Sequence, residues 1–202
     1  MIACMGAGGQ WFVWEAGSDL YGRPAVICMG NGCSSAQVAD CEKALARGRE
    51  NSWCVLAAKG LKSVPPPLLE ARGLLRLDLS RNKLGELPPA LGRLVQLQAL
   101  FVRENRLVGL PQEIGRCVAL EEIHADGNRL TELPDAVGDL FSLRILRLRD
   151  NLLQTVTPAI GRCTRLHTLD VRIHLLSLAA RLRIFTPLIP GLSFVHRAAA
   201  EQ

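Results

Sequence analysis

No apolar run approaches the roughly 18 residues that a membrane-crossing helix requires, so none is expected from this sequence. There is also no block of lysine and arginine. The 24 basic residues are spread over the chain against 19 acidic ones, for a net charge of +5. That spread argues against nucleic acid as a partner, and it suits an anionic membrane face only weakly. Cysteine is present without pairing: seven residues, at 4, 28, 33, 41, 54, 117 and 163, an odd number at irregular spacing. A disulfide framework is thereby excluded, and a reducing compartment is expected. The histidines, His124, His167, His174 and His196, do not combine with cysteines at metal-ligand spacings, so no metal and no cofactor are expected. Nor is there a glycine loop to cradle phosphate, because the glycines of the chain's middle recur at one fixed interval. Residues 1–28 lack a basic start and a continuous apolar core, which makes a poor signal peptide. They are Gly-rich and without a period of 2 or 3.6, and read as an unstructured extension.

Residues 74–163 repeat one phrase. Leu74, Leu77, Leu79, Asn82, Leu84, Leu87 and Pro88 recur at a step of 23 as Leu97, Leu100, Val102, Asn105, Leu107, Leu110 and Pro111. A third copy is Leu120, Ile123, Ala125, Asn128, Leu130, Leu133 and Pro134. The fourth is Leu143, Leu146, Leu148, Asn151, Leu153 and Val156, with Thr157 in place of proline. An earlier, degenerate copy holds Cys54, Leu56, Lys59, Leu61, Val64 and Pro65. This is the leucine-rich-repeat pattern. The fold class expected is therefore α/β: a right-handed leucine-rich-repeat solenoid of about five to six repeats, with short parallel strands on the concave face and helical or 3₁₀ turns on the convex side. Each asparagine is expected to bond backbone groups at the bend, and each amide deleted to cost about 1–3 kcal/mol. Cys117 and Cys163 share an apolar repeat position with Leu94 and Leu140 and read as buried thiols.

Ahead of the repeats stands Met29-Gly30-Asn31-Gly32-Cys33-Ser34, which fits the N-myristoylation signal. That chemistry requires Gly30 as a free N-terminus, with Cys33 available for a second acyl chain. Two readings stand. In one the segment is a flexible Gly/Ser turn that matches by accident. In the other, translation begins at Met29 and residues 1–28 are an upstream extension. Residues 29–50 are then a lipidation-type head followed by a short helix over Ala36–Glu50, with Val38, Cys41, Ala44 and Leu45 at helical spacing and Ser35 as its cap. Such a helix would cover the first rung, a physical requirement in a solenoid.

The start Met29-Gly30-Asn31, the short helix, the first rung ending Lys59-Gly60-Leu61-x-x-Val64-Pro65 and the repeats together resemble the leucine-rich-repeat-containing protein fifty-seven family of small N-myristoylated proteins. The resemblance covers about Met29 to Asp170. It favours Met29 as the start, and it implies a cytoplasmic, membrane-associated binding protein, peripheral on the cytoplasmic face, that is not an enzyme.

Function is expected on the concave face, among the residues between the leucines. One column reads Val55, Asp78, Phe101, His124, Arg147, Asp170. The next reads Ala57, Ser80, Arg103, Asp126, Arg149, Arg172, and a third Trp53, Arg76, Ala99, Glu122, Ile145, Thr168. Arg103, Asp126 and Arg149 read as an alternating-charge ladder. Phe101 points outward with no core to join, and its surroundings have the aromatic-plus-arginine make-up of an interface anchor. The partner-binding set is Trp53, Phe101, Arg103, His124, Asp126, Arg147 and Arg149, centred on Phe101, His124 and Arg147. A catalytic reading of His124 with Asp126 and Glu122 fails for want of a pocket and a neighbouring nucleophile.

The pattern ends near Arg172. The repeat domain is read as residues 51–176, and residues 177–202 as a C-terminal cap, with a helix from about Leu175 to Ile184, or as an atypical tail. The leading function is a monomeric, non-enzymatic scaffold for a protein partner, held at a membrane surface if Gly30 is lipidated. The alternative is a soluble regulatory subunit or adaptor in phosphatase or small-GTPase signalling without a lipid.

Overall fold

In a Leu-x-Leu stretch the side chains alternate, so the leucines face one way and the intervening residues the other. In the computed structural model this alternation builds one strand per repeat. Residues 52–171 are described continuously, with the backbone of four short strands outside them. The repeat strands are β4 (Ser52–Val55), β5 (Leu74–Asp78), β6 (Ala99–Phe101), β7 (Glu122–His124), β8 (Ile145–Arg147) and β9 (Thr168–Asp170). They pair in parallel and in sequence order, within an eight-stranded sheet that β3 (Val26–Ile27) and β10 (Ser193–Phe194) extend at either edge. The register is that of the repeat: Asp78 lies beside Phe101, Phe101 beside His124, His124 beside Arg147, and Arg147 beside Asp170. The columns read from the sequence are thus physical neighbours.

The 1–28 extension, expected to be without structure, contains three short strands. They are β1 (Ile2–Met5) and β2 (Trp11–Trp14), which pair antiparallel, and β3 against β4. The Trp-Phe-Val-Trp run of β2 is rich in strand-favouring residues. The expected helices over Ala36–Glu50 and Leu175–Ile184, and Gly30 and Cys33, lie outside the described residues.

The return path of each repeat is a five-residue 3₁₀ segment: Pro66–Glu70, Pro89–Arg93, Gln112–Arg116, Asp135–Asp139 and Pro158–Arg162. Proline precedes the first four. At the fifth, Thr157 replaces it. Its hydroxyl accepts the Ala159 amide at 3.2 Å and bonds the Asp135 carboxylate, so a side-chain cap takes over from a fixed φ. The glycine in the second, third and fourth segments has a role that turn chemistry does not predict. Gly92, Gly115 and Gly138 do not have positive φ. They are small because the next rung lies against them: a Cβ would stand 2.5, 2.7 and 2.4 Å from the carbonyl oxygens of Glu113, Ala136 and Ala159.

Between sheet and return path the leucines form one continuous core, from Leu56 and Leu68 through Leu100 and Ile123 to Leu169. Cys117 and Cys163 take leucine positions in it. Each thiol donates to a carbonyl of the preceding rung, Leu91 at 3.5 Å and Val137 at 3.2 Å. Burial pushes both thiols up to about 11.

The asparagines close the bends. Asn105, Asn128 and Asn151 each accept, at Oδ1, an amide of the preceding rung, from Leu84, Leu107 and Leu130 respectively. Their Nδ2 groups donate to two carbonyls of their own rung and one of the preceding rung. Asn82 does the same for the first rung, taking the amides of both Lys59 and Leu61.

One equivalent backbone position recurs in left-handed conformation at the step of 23. Gly127 has φ +67°, and its equivalents Ala58, Arg81, Glu104 and Asp150 have φ +56°, +58°, +51° and +54°. The ladder enforces this, because most of these amides bond a carbonyl of the next rung, as Gly127 bonds Arg149 at 2.8 Å. A Cβ at Gly127 would meet nothing closer than 3.5 Å. Gly127→Ala should therefore cost only the left-handed backbone penalty, about 1 kcal/mol, a melting-temperature loss of roughly 2–4 °C. Ala58→Gly should shift the melting temperature upward. Differential scanning calorimetry of the two variants checks both signs.

Candidate protein-binding face

The concave columns converge on one cluster. Phe101 and His124 are neighbours across β6 and β7, and their rings stack with centroids 4.7 Å apart and planes inclined by 22°. The Arg103 guanidinium lies 5.9 Å from the centre of the Phe101 ring. Its Nη2 donates to His124 Nδ1, and its Nε lies 3.3 Å from Asp126 Oδ2. Such a stack contributes about 0.5–1.5 kcal/mol beyond its buried area. The half-exposed ion pair adds no more than about 1 kcal/mol.

His124 stands in an outward column yet is only 5% exposed. Its ring is covered by Phe101 and Arg103, so it supports the surface more than it forms it. Arginine has only donors to offer, so Nδ1 is the accepting nitrogen, and Nε2 carries the proton toward Glu122 Oε2 at 3.2 Å. Both ring nitrogens are thereby occupied, and no lone pair is free for proton abstraction. Burial first, then the charges of Arg103 and Arg147, hold the imidazole below its usual range, against a contrary pull from Glu122. A lowered folded pKa means that the unfolded chain takes up the proton first as pH falls. The stability due to neutral His124 is thus complete above about pH 6.5 and is lost as pH drops below it. The melting temperature should fall below pH 6.5 in the wild type and fall less in His124→Gln, as a series of thermal melts at graded pH would register.

The other candidates are placed as follows. Arg147 is exposed beside His124, and Phe101 is half-buried. The expected alternating ladder is only partly formed. Asp126 takes Arg103 and, through Oδ1, the Arg149 backbone amide at 3.1 Å. With Asp126 so engaged, the Arg149 guanidinium turns to Asp170, 3.3 Å away and buried. Trp53 is not part of the cluster. It lies in β4 beside Arg76, two strands and about 10 Å from Phe101. Glu122 and Asp170, which hold His124 and Arg149, were not among the candidate binding residues. Each sits in a concave column beside a candidate, which is the signal that could have found them. Among the described residues no group of three or more His, Cys, Asp or Glu is placed to hold a metal, and no helix is long and apolar enough to cross a membrane.

A stacked rung per repeat, an asparagine ladder and a curved parallel sheet define a leucine-rich-repeat domain. A family model described as Leucine Rich Repeat matches residues 73–94. No curated protein sequence matches the chain. Solved structures do. A leucine-rich-repeat protein of Leptospira interrogans is 27% identical with a TM-score of 0.60, over 75% of this chain and 45% of that one. The Toll–Spatzle complex of Drosophila gives 26% and 0.56, over 66% of this chain and 18% of that one. The leucine-rich-repeat ectodomain of the plant membrane receptor kinase GASSHO1/SCHENGEN3 from Arabidopsis thaliana, in complex with CASPARIAN STRIP INTEGRITY FACTOR 2, gives 26% and 0.50, over 60% of this chain and 18% of that one. The chain thus spans less than half the length of each of these structures.

Proposed function

We propose that this chain is a non-enzymatic interaction module that binds a protein partner on its concave face, at Phe101 and Arg147. The observation that carries it is the Phe101–His124–Arg103 stack: an aromatic ring on an open sheet, held from behind by a buried imidazole and a guanidinium. A side chain fixed in this way loses little conformational freedom on binding, as an interface anchor requires. Two of the structurally similar proteins were solved with protein ligands, which supports the reading. His124, with both nitrogens engaged, serves the surface as a prop. The module is further proposed to sit on the cytoplasmic face of a membrane through acylation of Gly30 and Cys33. One myristoyl chain binds only marginally, so two signals are needed. Affinity capture from cell extract tests the binding face: Arg147→Glu and Phe101→Ala should lose a protein that wild type and the convex variant Glu132→Ala both retain. Equal recovery by all four would refute it. The mass of the N-terminal peptide of the cellular protein tests the lipid independently.

A further inference from the structure

A second column of the repeat is left over from both the core and the concave site. Val95, Val118 and Phe141 follow the buried Leu94, Cys117 and Leu140 at a step of 23 and stand in the turns before β6, β7 and β8. They are 45%, 56% and 59% exposed. Since neighbouring rungs are about 4.8 Å apart, the three side chains form an apolar stripe about 10 Å long on one edge of the solenoid.

The charges around the stripe are not balanced. Its flanking acids are all paired: Glu70 with Arg93, Glu121 with Arg144 and Asp139 with Arg162. Arg72 continues the column at one end, Arg165 borders it at the other, and Arg116 lies two residues before Val118. All three are exposed and make no ion pair among the described residues. We propose that this edge docks on an anionic lipid surface, with Val118 and Phe141 entering the interface and Arg72, Arg116 and Arg165 meeting headgroup phosphates. A stripe one residue wide is too small for the core of a stable protein interface, which buries about 800 Å² per partner. A lipid surface needs no matching relief. Arginine stems lie along apolar surface while their heads reach charge, the arrangement this edge provides. The inference goes beyond the concave-face reading and does not depend on a lipid at Gly30.

The test uses the full chain made unacylated in bacteria and sedimented with phosphatidylcholine vesicles, with and without phosphatidylserine. Wild type should partition onto the phosphatidylserine vesicles, with binding lost as salt is raised. The pair Val118→Ser and Phe141→Ser, and separately the pair Arg116→Glu and Arg165→Glu, should each lower the partition coefficient about tenfold, equivalent to roughly 1.4 kcal/mol. All four positions are exposed, so melting temperatures should stay within a few degrees of wild type, which separates lost docking from lost folding. Wild-type protein remaining in the supernatant, as a protein-covered stripe would require, overturns the proposal. So does unchanged sedimentation of both paired variants.

Discussion

Asn128→Ala should lower the stability of the chain by about 1–3 kcal/mol. The Asn128 side chain is the sole acceptor found for the Leu107 amide, at 3.1 Å, and donates to the carbonyls of Val102 at 2.9 Å and Ala125 at 3.0 Å. Alanine leaves the Leu107 amide without its acceptor in a bend that holds the asparagine at 6% exposure, whereas Asn105 still donates to the Val102 carbonyl at 3.1 Å and Asn151 to that of Ala125 at 2.9 Å. A buried group without a partner costs about 1–3 kcal/mol, and here that group is one amide. The neighbouring Arg129→Ala, at an exposed position, should stay within about 0.5 kcal/mol of wild type. Urea unfolding of the two variants separates them. A loss below about 1 kcal/mol at Asn128 would mean that the bends are held by something other than the ladder.

The second large effect is expected at Gly138→Ala, a single added methyl. Its Cβ would lie 2.4 Å from the Ala159 carbonyl oxygen and 2.7 Å from Arg162 Nε. The arginine can swing away, but the carbonyl belongs to the next rung and can yield only if the rungs part. Neighbouring turns are the contacts that stabilise a solenoid, so the strain opens an interface as well as a local contact. Overpacking of this kind costs about 3 kcal/mol, or roughly 6–12 °C in melting temperature. The control is Gly85→Ala, where a Cβ meets nothing within 4 Å. If both variants melt alike, close stacking is not what keeps glycine at this position.

Much of this architecture is legible in the sequence because two periods coincide. Alternation within Leu-x-Leu sets which side chains face outward, and the step of 23 sets which of them are neighbours. Phe101, His124 and Arg147 therefore line up in the structure as they do on paper. Three features were not readable in this way. The reason for glycine at 92, 115 and 138 is a distance to another rung, and composition shows only that the residue is small. The burial of His124 depends on rotamers: an outward position reads as exposed until Phe101 and Arg103 close over it. Arg149 chooses Asp170 over Asp126 because Asp126 is already filled, a competition between side chains that spacing alone does not rank. The apolar stripe differs from these, since Val95, Val118 and Phe141 keep strict phase.

The concave-face reading is tested most directly by a photoreactive benzoylphenylalanine placed in living cells at Arg147, and in a separate chain at Gln112, which is exposed on the return path. Irradiation should yield one discrete covalent adduct from position 147, weakened when Phe101→Ala is present, and none of that mass from position 112. An adduct formed equally at both positions, or at 112 alone, would contradict a partner seated on the sheet.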